Sequence, residues 1–206
     1  MPIKTDREYR DVYNSLVPQD DEKRVTGYAT VFDVPYKLYG DGSYEIWEKV
    51  APTAFANTDV SDVIMQYNHE GRVFARTKNN TLTLRSDEKG LLIDADLGGT
   101  EIGRELYEEI RGGYTDKMSF GFTIDRTEET RTDLEDGKID ILRRILSVSK
   151  LYDVSAVSIP ANGATSISVE TRSQIDGAIE AARAERLNRA KLELKKQFLR
   201  GVINND

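Results

Sequence analysis

The clearest structural signal in the chain is the stretch Val25-Thr26-Gly27-Tyr28-Ala29-Thr30-Val31-Phe32, which is dense in β-branched and aromatic residues. Runs of this composition, bounded by turn residues, are typical of β-strands. A similar composition recurs at Tyr44–Val50, directly after the turn-forming residues Gly40-Asp41-Gly42-Ser43. We therefore predict a β-dominated core that begins near Arg24.

Two later runs predict a β-hairpin. Thr and Leu alternate over Thr81–Arg85, and apolar residues alternate with aspartate over Ile93–Leu97. A period of two places one face of each strand against a core. The turn-forming residues Asp87-Glu88-Lys89-Gly90 lie between the runs and predict the connection of the hairpin.

A helix is predicted to interrupt the strands. Thr100 suits its N-cap, Ile102, Leu106 and Ile110 recur at a helical spacing, and Gly112-Gly113 supplies a stop.

Strand-like runs resume after this helix. They cover Lys117–Ile124, break at the charged stretch Asp125–Lys138, and return at Ile139–Val148 and Leu151–Ile159. Within the break, the acidic residues Asp133–Asp136 lack the ligand spacing of an EF-hand. We read them as a solvated hairpin tip and predict no metal site there.

Composition limits the possible chemistry. The chain has 206 residues, of which 38% are apolar and 32% charged, as expected for a soluble domain with a modest core. It contains no cysteine and a single histidine, His69, which excludes a thiolate nucleophile, disulfides and a site built from two histidines of one chain. The net charge of −7 argues against binding to nucleic-acid backbones as the main function. No apolar run approaches the roughly 18 residues of a membrane span, and we expect neither membrane association nor export.

Three regions are predicted along the chain. Residues 1–22 are charged and polar and are expected to form a flexible or weakly packed lead, and residues 23–172 are expected to form the main domain. Residues 173–206 carry seven basic and five acidic side chains, a net charge of +2, so residues 1–172 carry −9. Apolar residues among these charges predict a helical tail of about 25 residues. It could dock on its own domain or an acidic partner, or lie in solvent.

Three segments carry the candidate chemistry, and the first contains His69. The polar residues Gln66–Gly71 follow the apolar run Val63-Ile64-Met65, so His69 is predicted where a strand opens into a loop. Catalytic groups are commonly presented on loops. If an imidazole activates a serine in this chain, it belongs to His69. Taken alone, the segment also fits a solvated surface histidine.

The second segment contains Ser119, at the start of an apolar strand. Gly121 lies two residues further on and would allow a substrate backbone to approach closely. Lys117 and Gly121 flank the serine without forming a G-x-S-x-G elbow, which excludes an α/β-hydrolase. By itself, Ser119 also fits an ordinary polar residue on a strand face.

The third segment contains Asp153, a carboxylate inside an apolar strand. A period of two places Asp153 on one face with Leu151, Ser155 and Val157. A carboxylate there loses solvation unless it is paired or hydrogen-bonded. An imidazole N–H is one suitable partner, and Arg143 or Arg144 is the structural alternative.

Together the three segments supply the nucleophile, base and orienting acid of a Ser-His-acid site, which recurs on unrelated folds. The chain resembles the prohead serine proteases of tailed bacteriophages, which are related in fold to the herpesvirus assemblins. The resemblance covers about residues 24–172. Its motifs are Gly27–Phe32, Ala51–Phe55 (with Thr53 where Gly is usual), Asn68-His69, Gly90-Leu91, Met118–Phe122, and Asp153-Val154-Ser155 leading to Pro160-Ala161-Asn162.

The resemblance implies a fold and a set of roles. The expected fold is α+β and β-dominated: an assemblin-like closed or partly closed antiparallel β-barrel with surrounding helices and a C-terminal helical tail. His69 matches the catalytic histidine of the family and Ser119 its nucleophile. Asp153 fits the acidic position before the Pro-Ala-Asn segment. Assemblins use a second histidine as third member, which this chain does not have. No metal or cofactor is implied.

The resemblance also implies a biological setting. The expected substrates are scaffold or the scaffolding segment of the major capsid protein, and the protease itself. The expected location is the procapsid inside the host cytoplasm, with homodimerisation plausible by analogy only. One alternative is a structural or scaffolding subunit of the procapsid that keeps the fold without activity. A metal-dependent hydrolase using Asp133–Asp136 is a weaker one.

Overall fold

The computed structural model describes residues 7–12, 16–19, 22–40, 44–134, 138–158 and 169–203. The chain divides into two compact units, Met1–Ser168 and Val169–Asp206. In chain order, the strands are β1 (Glu8–Val12), β2 (Val17–Gln19), β3 (Arg24–Val31), β4 (Tyr36–Gly40), β5 (Tyr44–Val50), β6 (Ile64–Tyr67), β7 (Glu70–Arg76), β8 (Leu82–Ser86), β9 (Gly90–Asp96), β10 (Lys117–Asp133) and β11 (Ile139–Val157). The α-helices of these described ranges are α1 (Glu101–Arg111) and α2 (Val169–Ile203), and Thr77–Asn79 forms a short 3₁₀ helix. The predicted β-dominated fold is confirmed.

The strands form two sheets. The larger sheet has the order β1-β10-β11-β5-β4, and in addition β6 pairs with β11 and β7 pairs with β6. Strand β11 is long enough to pair in parallel with two strands along the same edge. Ile139–Ile145 pairs with β5, and Asp153–Ala156 pairs with β6. The smaller sheet is antiparallel and has the order β2-β3-β9-β8. In the described part of the chain neither sheet closes on itself, so the barrel implied by the resemblance is not confirmed.

The local signals of the sequence account for most of these elements. The predicted hairpin is β8 and β9, whose residues pair in antiparallel register from Leu82 opposite Ala95 to Ser86 opposite Leu91. Helix α1 begins as predicted, because the side chain of Thr100 accepts a hydrogen bond from the Gly103 N–H.

Both sheets and α1 contribute to one apolar core. Alternate residues of β3 and β9 point into it, as their period of two predicts. Leu106, Tyr107 and Ile110 of α1 bury one side of the helix. Buried members of the cluster include Val25, Ala29, Ile93, Ala95, Phe120, Phe122, Leu151 and Val154.

The predicted break at Asp125–Lys138 is wrong for much of its length. Strand β10 continues through Asp133 and pairs with β11, with register shifts between Gly121 and Thr127. Beyond Ile124 its side chains are mostly exposed, although its backbone pairs with β11. The charged composition therefore reflects side chains that face water. An antiparallel strand pair such as β10–β11 can be exposed to solvent and still keep its backbone hydrogen bonds.

The described parts of the N-terminal lead include two paired strands. Strand β1 pairs with β10 and β2 pairs with β3. Glu8 and Arg10 are buried despite their charge. Arg10 donates to Glu48 at 2.5 Å and pairs with Glu8, and Arg143 donates to Glu48 at 3.2 Å. Mutual neutralisation permits burial that composition alone argues against.

Helix α2 covers 35 residues and is therefore longer than the tail helix predicted after Ser173. Its apolar side chains Leu187, Leu192 and Leu194 are exposed. Within the described ranges, neither helix combines the length and apolarity that crossing a membrane requires.

Candidate active site

A tight hairpin turn positions His69. Tyr67 of β6 pairs with Glu70 of β7, so Asn68 and His69 are the two central residues of the turn. Both have positive φ, 49° and 60°, which is the signature of a type I′ turn. Asn and His are among the residues that adopt this conformation more readily than most. The predicted loop is thus a two-residue turn.

Strand pairing holds the turn beside β11. The Asn68 N–H donates to the Ala156 carbonyl at 3.0 Å, and the His69 N–H donates to Ser155 Oγ at 3.2 Å. Strand β6 runs parallel to Asp153–Ala156 of β11, and the turn follows directly after β6. His69 therefore lies beside the part of β11 that carries Asp153 and Ser155.

Ser119 and Asp153 come together through the β10–β11 pairing. Ser119 lies opposite Ser155, and Gly121 lies opposite Asp153. Both candidate residues are fully buried. Gly121 allows this close pairing, since a Cβ at this position would press against Asp153 Oδ2 and force a side chain to shift.

The three residues singled out in the sequence form one hydrogen-bonded line. His69 Nε2 lies 2.5 Å from Ser119 Oγ, and His69 Nδ1 lies 2.5 Å from Asp153 Oδ1. Fifty positions separate the serine from the histidine in the chain. The fold therefore brings together all three predicted residues.

Ser155 is a member of this cluster that the sequence reasoning assigned no role. Its hydroxyl donates to Asp153 Oδ1 at 3.0 Å and lies 3.2 Å from His69 Nδ1. It is fully buried. The signal was available, because the strand period already placed Ser155 on the same face as Asp153.

Arg7 is a second residue that the sequence reasoning missed. Its guanidinium forms an ion pair with Asp153 Oδ2 and lies over the rings of Tyr9 and Tyr152, 5.0 and 4.7 Å from their centroids. The cation paired with Asp153 is therefore neither Arg143 nor Arg144.

Those two arginines have other partners. Arg143 pairs with Glu48, and Arg144 pairs with Asp33 and Glu128. The structural alternative considered for Asp153 thus finds no support in these contacts.

The electrostatics of the site keep the imidazole neutral. Burial lowers the pKa of His69 to about 4, and the charge of Arg7 adds to this lowering. Arg7 also pairs with Asp153 and partly offsets the attraction of that carboxylate for an imidazolium. A neutral imidazole that donates Nδ1–H to Asp153 turns the lone pair of Nε2 toward Ser119. The arrangement can accept a proton from the hydroxyl.

Two further sequence expectations concern a metal site and the oxyanion hole. Among the residues that the structure describes, no three His, Asp or Glu side chains cluster as metal ligands would. The stretch Pro160–Thr165, considered as a source of oxyanion-hole N–H groups, lies outside the described residues.

A hydroxyl, an imidazole and a carboxylate joined in this order are the arrangement that serine hydrolases of unrelated folds share. The chain belongs to the caudovirus prohead serine protease family, whose family model matches residues 11–177. No curated protein and no solved structure matches the chain. The resemblance drawn from the sequence motifs is confirmed, and membership implies a serine protease of capsid maturation.

Proposed function

We propose that the chain is a serine endopeptidase in which Ser119 is the nucleophile, His69 the general base and Asp153 the orienting acid. The observation that carries this proposal is the unbroken line of contacts from Ser119 Oγ through the imidazole to Asp153 Oδ1, each 2.5 Å long. Family membership independently supports peptide-bond hydrolysis as the reaction.

The mechanism is acyl transfer in two steps. His69 Nε2 takes the Ser119 proton as Oγ attacks the carbonyl carbon of the scissile peptide bond. The imidazolium then protonates the leaving amine, and an ester to Ser119 remains. In the second step His69 deprotonates a water, which attacks the ester. The acid product leaves and the proton returns to Oγ.

Asp153 and Ser155 prepare the base for both steps. A carboxylate at Nδ1 favours the tautomer whose Nε2 is free to accept a proton, and it stabilises the imidazolium that forms. Ser155 contacts both Asp153 and the His69 turn. It restrains Asp153 through one hydrogen bond and the backbone of the His69 turn through another. It is a positioning residue in this proposal.

The proposed substrates are scaffold or the scaffolding segment of the major capsid protein, and the protease itself. The proposed location is the interior of the procapsid in the host cytoplasm. Family membership supports both assignments, because prohead proteases take their name from that assembly.

Co-expression with the neighbouring capsid protein tests the function. We expect cleavage by the parent chain and a loss of about 10⁶-fold in kcat for Ser119→Ala and His69→Ala, with Asp153→Asn about 10⁴-fold below the parent. Mass spectrometry of the products locates the cleaved bond. Ser86→Ala, which changes an exposed serine of β8, serves as the control.

The alternative of a procapsid subunit without catalytic function makes the opposite prediction. Under that alternative, capsid protein matures normally beside both Ser119→Ala and His69→Ala. An Asp153→Asn chain as active as its parent would instead move the orienting role to another carboxylate, with Glu70 and Asp116 as the candidates.

A further inference from the structure

The proposed nucleophile is closed off by the chain's own N-terminal strand. Ser119 is fully buried. Strand β1 pairs with the β10 edge at Met118–Phe122 and places Asp11 opposite Ser119. Ser119 Oγ lies 2.9 Å from the carbonyl oxygen of Arg10. A peptide substrate must reach this hydroxyl, and β1 occupies the approach along the strand edge.

The two sides of β1 have different partners. Arg7, just before the strand, pairs with Asp153, and the ring of Tyr9 lies edge-on to His69 at 4.3 Å. The intervening Glu8 and the following Arg10 join the buried charges around Glu48. Strand alternation thus directs one face of this segment at His69 and Asp153, and the Arg10 carbonyl contacts Ser119.

The Arg10 carbonyl competes with the base. A serine hydroxyl has one hydrogen, and two acceptors lie within reach of Ser119: His69 Nε2 at 2.5 Å and the Arg10 oxygen at 2.9 Å. General-base catalysis requires that hydrogen to be directed at Nε2. β1 therefore meets the nucleophile as a hydrogen-bond acceptor and draws its proton away from the base.

We propose that the β10 edge at Met118–Phe122 receives an extended peptide substrate as an added strand, and that β1 is an internal competitor for this edge. The inference rests on the proposed function of Ser119. An incoming peptide strand would replace the main-chain hydrogen bonds of β1, so the exchange of one strand for another conserves the ladder.

The charge pattern permits β1 to leave. Four buried charges meet here: Glu8 and Arg10 on β1, and Glu48 and Arg143 on the sheet. Glu8 pairs with Arg10, and Glu48 pairs with Arg143 at 3.2 Å. Apart from the loss of the Arg7–Asp153 ion pair, departure of β1 separates these four charges into two neutral pairs and leaves no net charge among them. Uncompensated charge is the main penalty for breaking such clusters, and this arrangement avoids it.

A reversible covalent lock tests the inference. The chain has no cysteine, so an engineered pair has no competing thiol. Val12 and Met118 are opposed in the β1–β10 register, at a Cα separation that a disulfide can bridge. The full-length Val12→Cys/Met118→Cys chain is treated at pH 8 with a fluorophosphonate probe, which labels activated serine hydroxyls. We expect the oxidised form to label at Ser119 at least about tenfold more slowly than the reduced form, because the open fraction sets the rate.

The matched control is Arg85→Cys/Leu92→Cys, an opposed pair of β8 and β9. Its labelling should not depend on oxidation. Equal labelling of the two forms of the β1–β10 pair overturns the competitor role of β1 and leaves the serine protease intact. Failure of Ser119 to label in the parent and in every variant overturns the proposed nucleophile, and this inference with it.

A single substitution provides an independent reading if the locked chain does not fold. Arg7→Ala removes the ion pair that fastens this segment to Asp153. We expect about tenfold faster labelling at pH 8, where His69 is neutral in either chain. Arg126→Ala, an exposed arginine of β10, is the control. A rate for Arg7→Ala equal to that of the control contradicts the inference.

Discussion

Ser155 is the residue whose position best explains how the site is kept in register. Its one hydroxyl contacts the carboxylate at 3.0 Å and the backbone N–H of His69 at 3.2 Å. It therefore links the strand that carries Asp153 to the turn that carries His69. A group with two such contacts restrains the imidazole in both position and tautomer.

We expect Ser155→Ala to lower kcat by about tenfold to a hundredfold with little change in KM, because the buried hydroxyl acts through its hydrogen bonds to Asp153 and His69. Ser155→Thr keeps the hydroxyl and should recover most of the activity. The nitrogen chemical shifts of the single imidazole, measured by NMR, report the tautomer directly. A Ser155→Ala chain with parental kcat and an unchanged tautomer would reduce Ser155 to a packing residue.

Arg7 contributes to the neutral state of the His69 imidazole. Burial of the ring lowers the pKa of His69 to about 4, and the positive charge of Arg7 adds to this lowering. We predict that Arg7→Ala raises this pKa toward the ordinary value of roughly 6.5. Because the chain has one histidine, the imidazole proton resonance can be titrated without assignment. A titration midpoint that does not move in Arg7→Ala would contradict this role of Arg7.

The same shift links the free energy of unfolding to pH. Between about pH 4 and 6.5 the unfolded chain binds the His69 proton and the folded chain does not. His69 therefore makes unfolding easier as pH falls through this window, by at most about 1.4 kcal/mol per pH unit. Denaturant titrations of the parent and of His69→Asn should diverge there and run parallel at higher pH.

The sequence predicted the candidate site residues, but it did not predict which other side chains contact them. Asp153 was recognisable because a carboxylate in an alternating apolar strand needs a partner. The identity of its cationic partner was not recognisable. Arg7 lies in a charged segment, and only the pairing of β1 with β10 brings it to the carboxylate.

The site depends on the close approach of three strands, β1, β10 and β11, at Gly121. This residue lies opposite Tyr9 on β1 and opposite Asp153 on β11. A Cβ would lie 2.8 Å from a ring carbon of Tyr9 and 2.9 Å from a guanidinium nitrogen of Arg7, in addition to its contact with the carboxylate. A methyl group fits at this position only if these side chains move.

Gly121→Ala is therefore expected to displace β1 or Asp153. We predict a decrease of about 1–3 kcal/mol in the free energy of unfolding and a lower kcat. Gly99→Ala is a matched control, because a Cβ at Gly99 meets nothing within 4 Å. Thermal or denaturant unfolding of both variants makes the comparison. A Gly121→Ala chain as stable and active as the control would contradict the packing described here.

The strands that border this site show what composition reveals and what it hides. β-Branched and aromatic composition predicted β3, and alternation predicted the β8–β9 hairpin, because half-buried strands carry their period in the sequence. The outer half of β10 has mostly exposed side chains and carries no such period. Its pairing with β11 is a property of the backbone, which the side chains do not report.

At the scale of the whole molecule, the tail is a separate unit. Helix α2 belongs to the unit Val169–Asp206, and the side chains described along it are mostly exposed. Exposed terminal segments are preferred sites of proteolysis. Self-processing of the chain, if it occurs, would therefore remove this region most readily.

We predict that the parent chain expressed alone loses part of the tail while Ser119→Ala stays full length. Intact-mass spectrometry measures both. Mixing parent with Ser119→Ala separates cleavage within one chain from cleavage between chains. Full-length parent after prolonged incubation, with capsid protein cleaved in parallel, would show that the tail is not a substrate.

The left-handed turn at His69 has a practical consequence. Asparagine suits positive φ better than most residues, so His69→Asn removes the imidazole and keeps the backbone that presents it. Such a chain would hold a cognate peptide without cutting it. His69→Asn would thus serve as an affinity reagent for uncleaved substrate proteins of the procapsid.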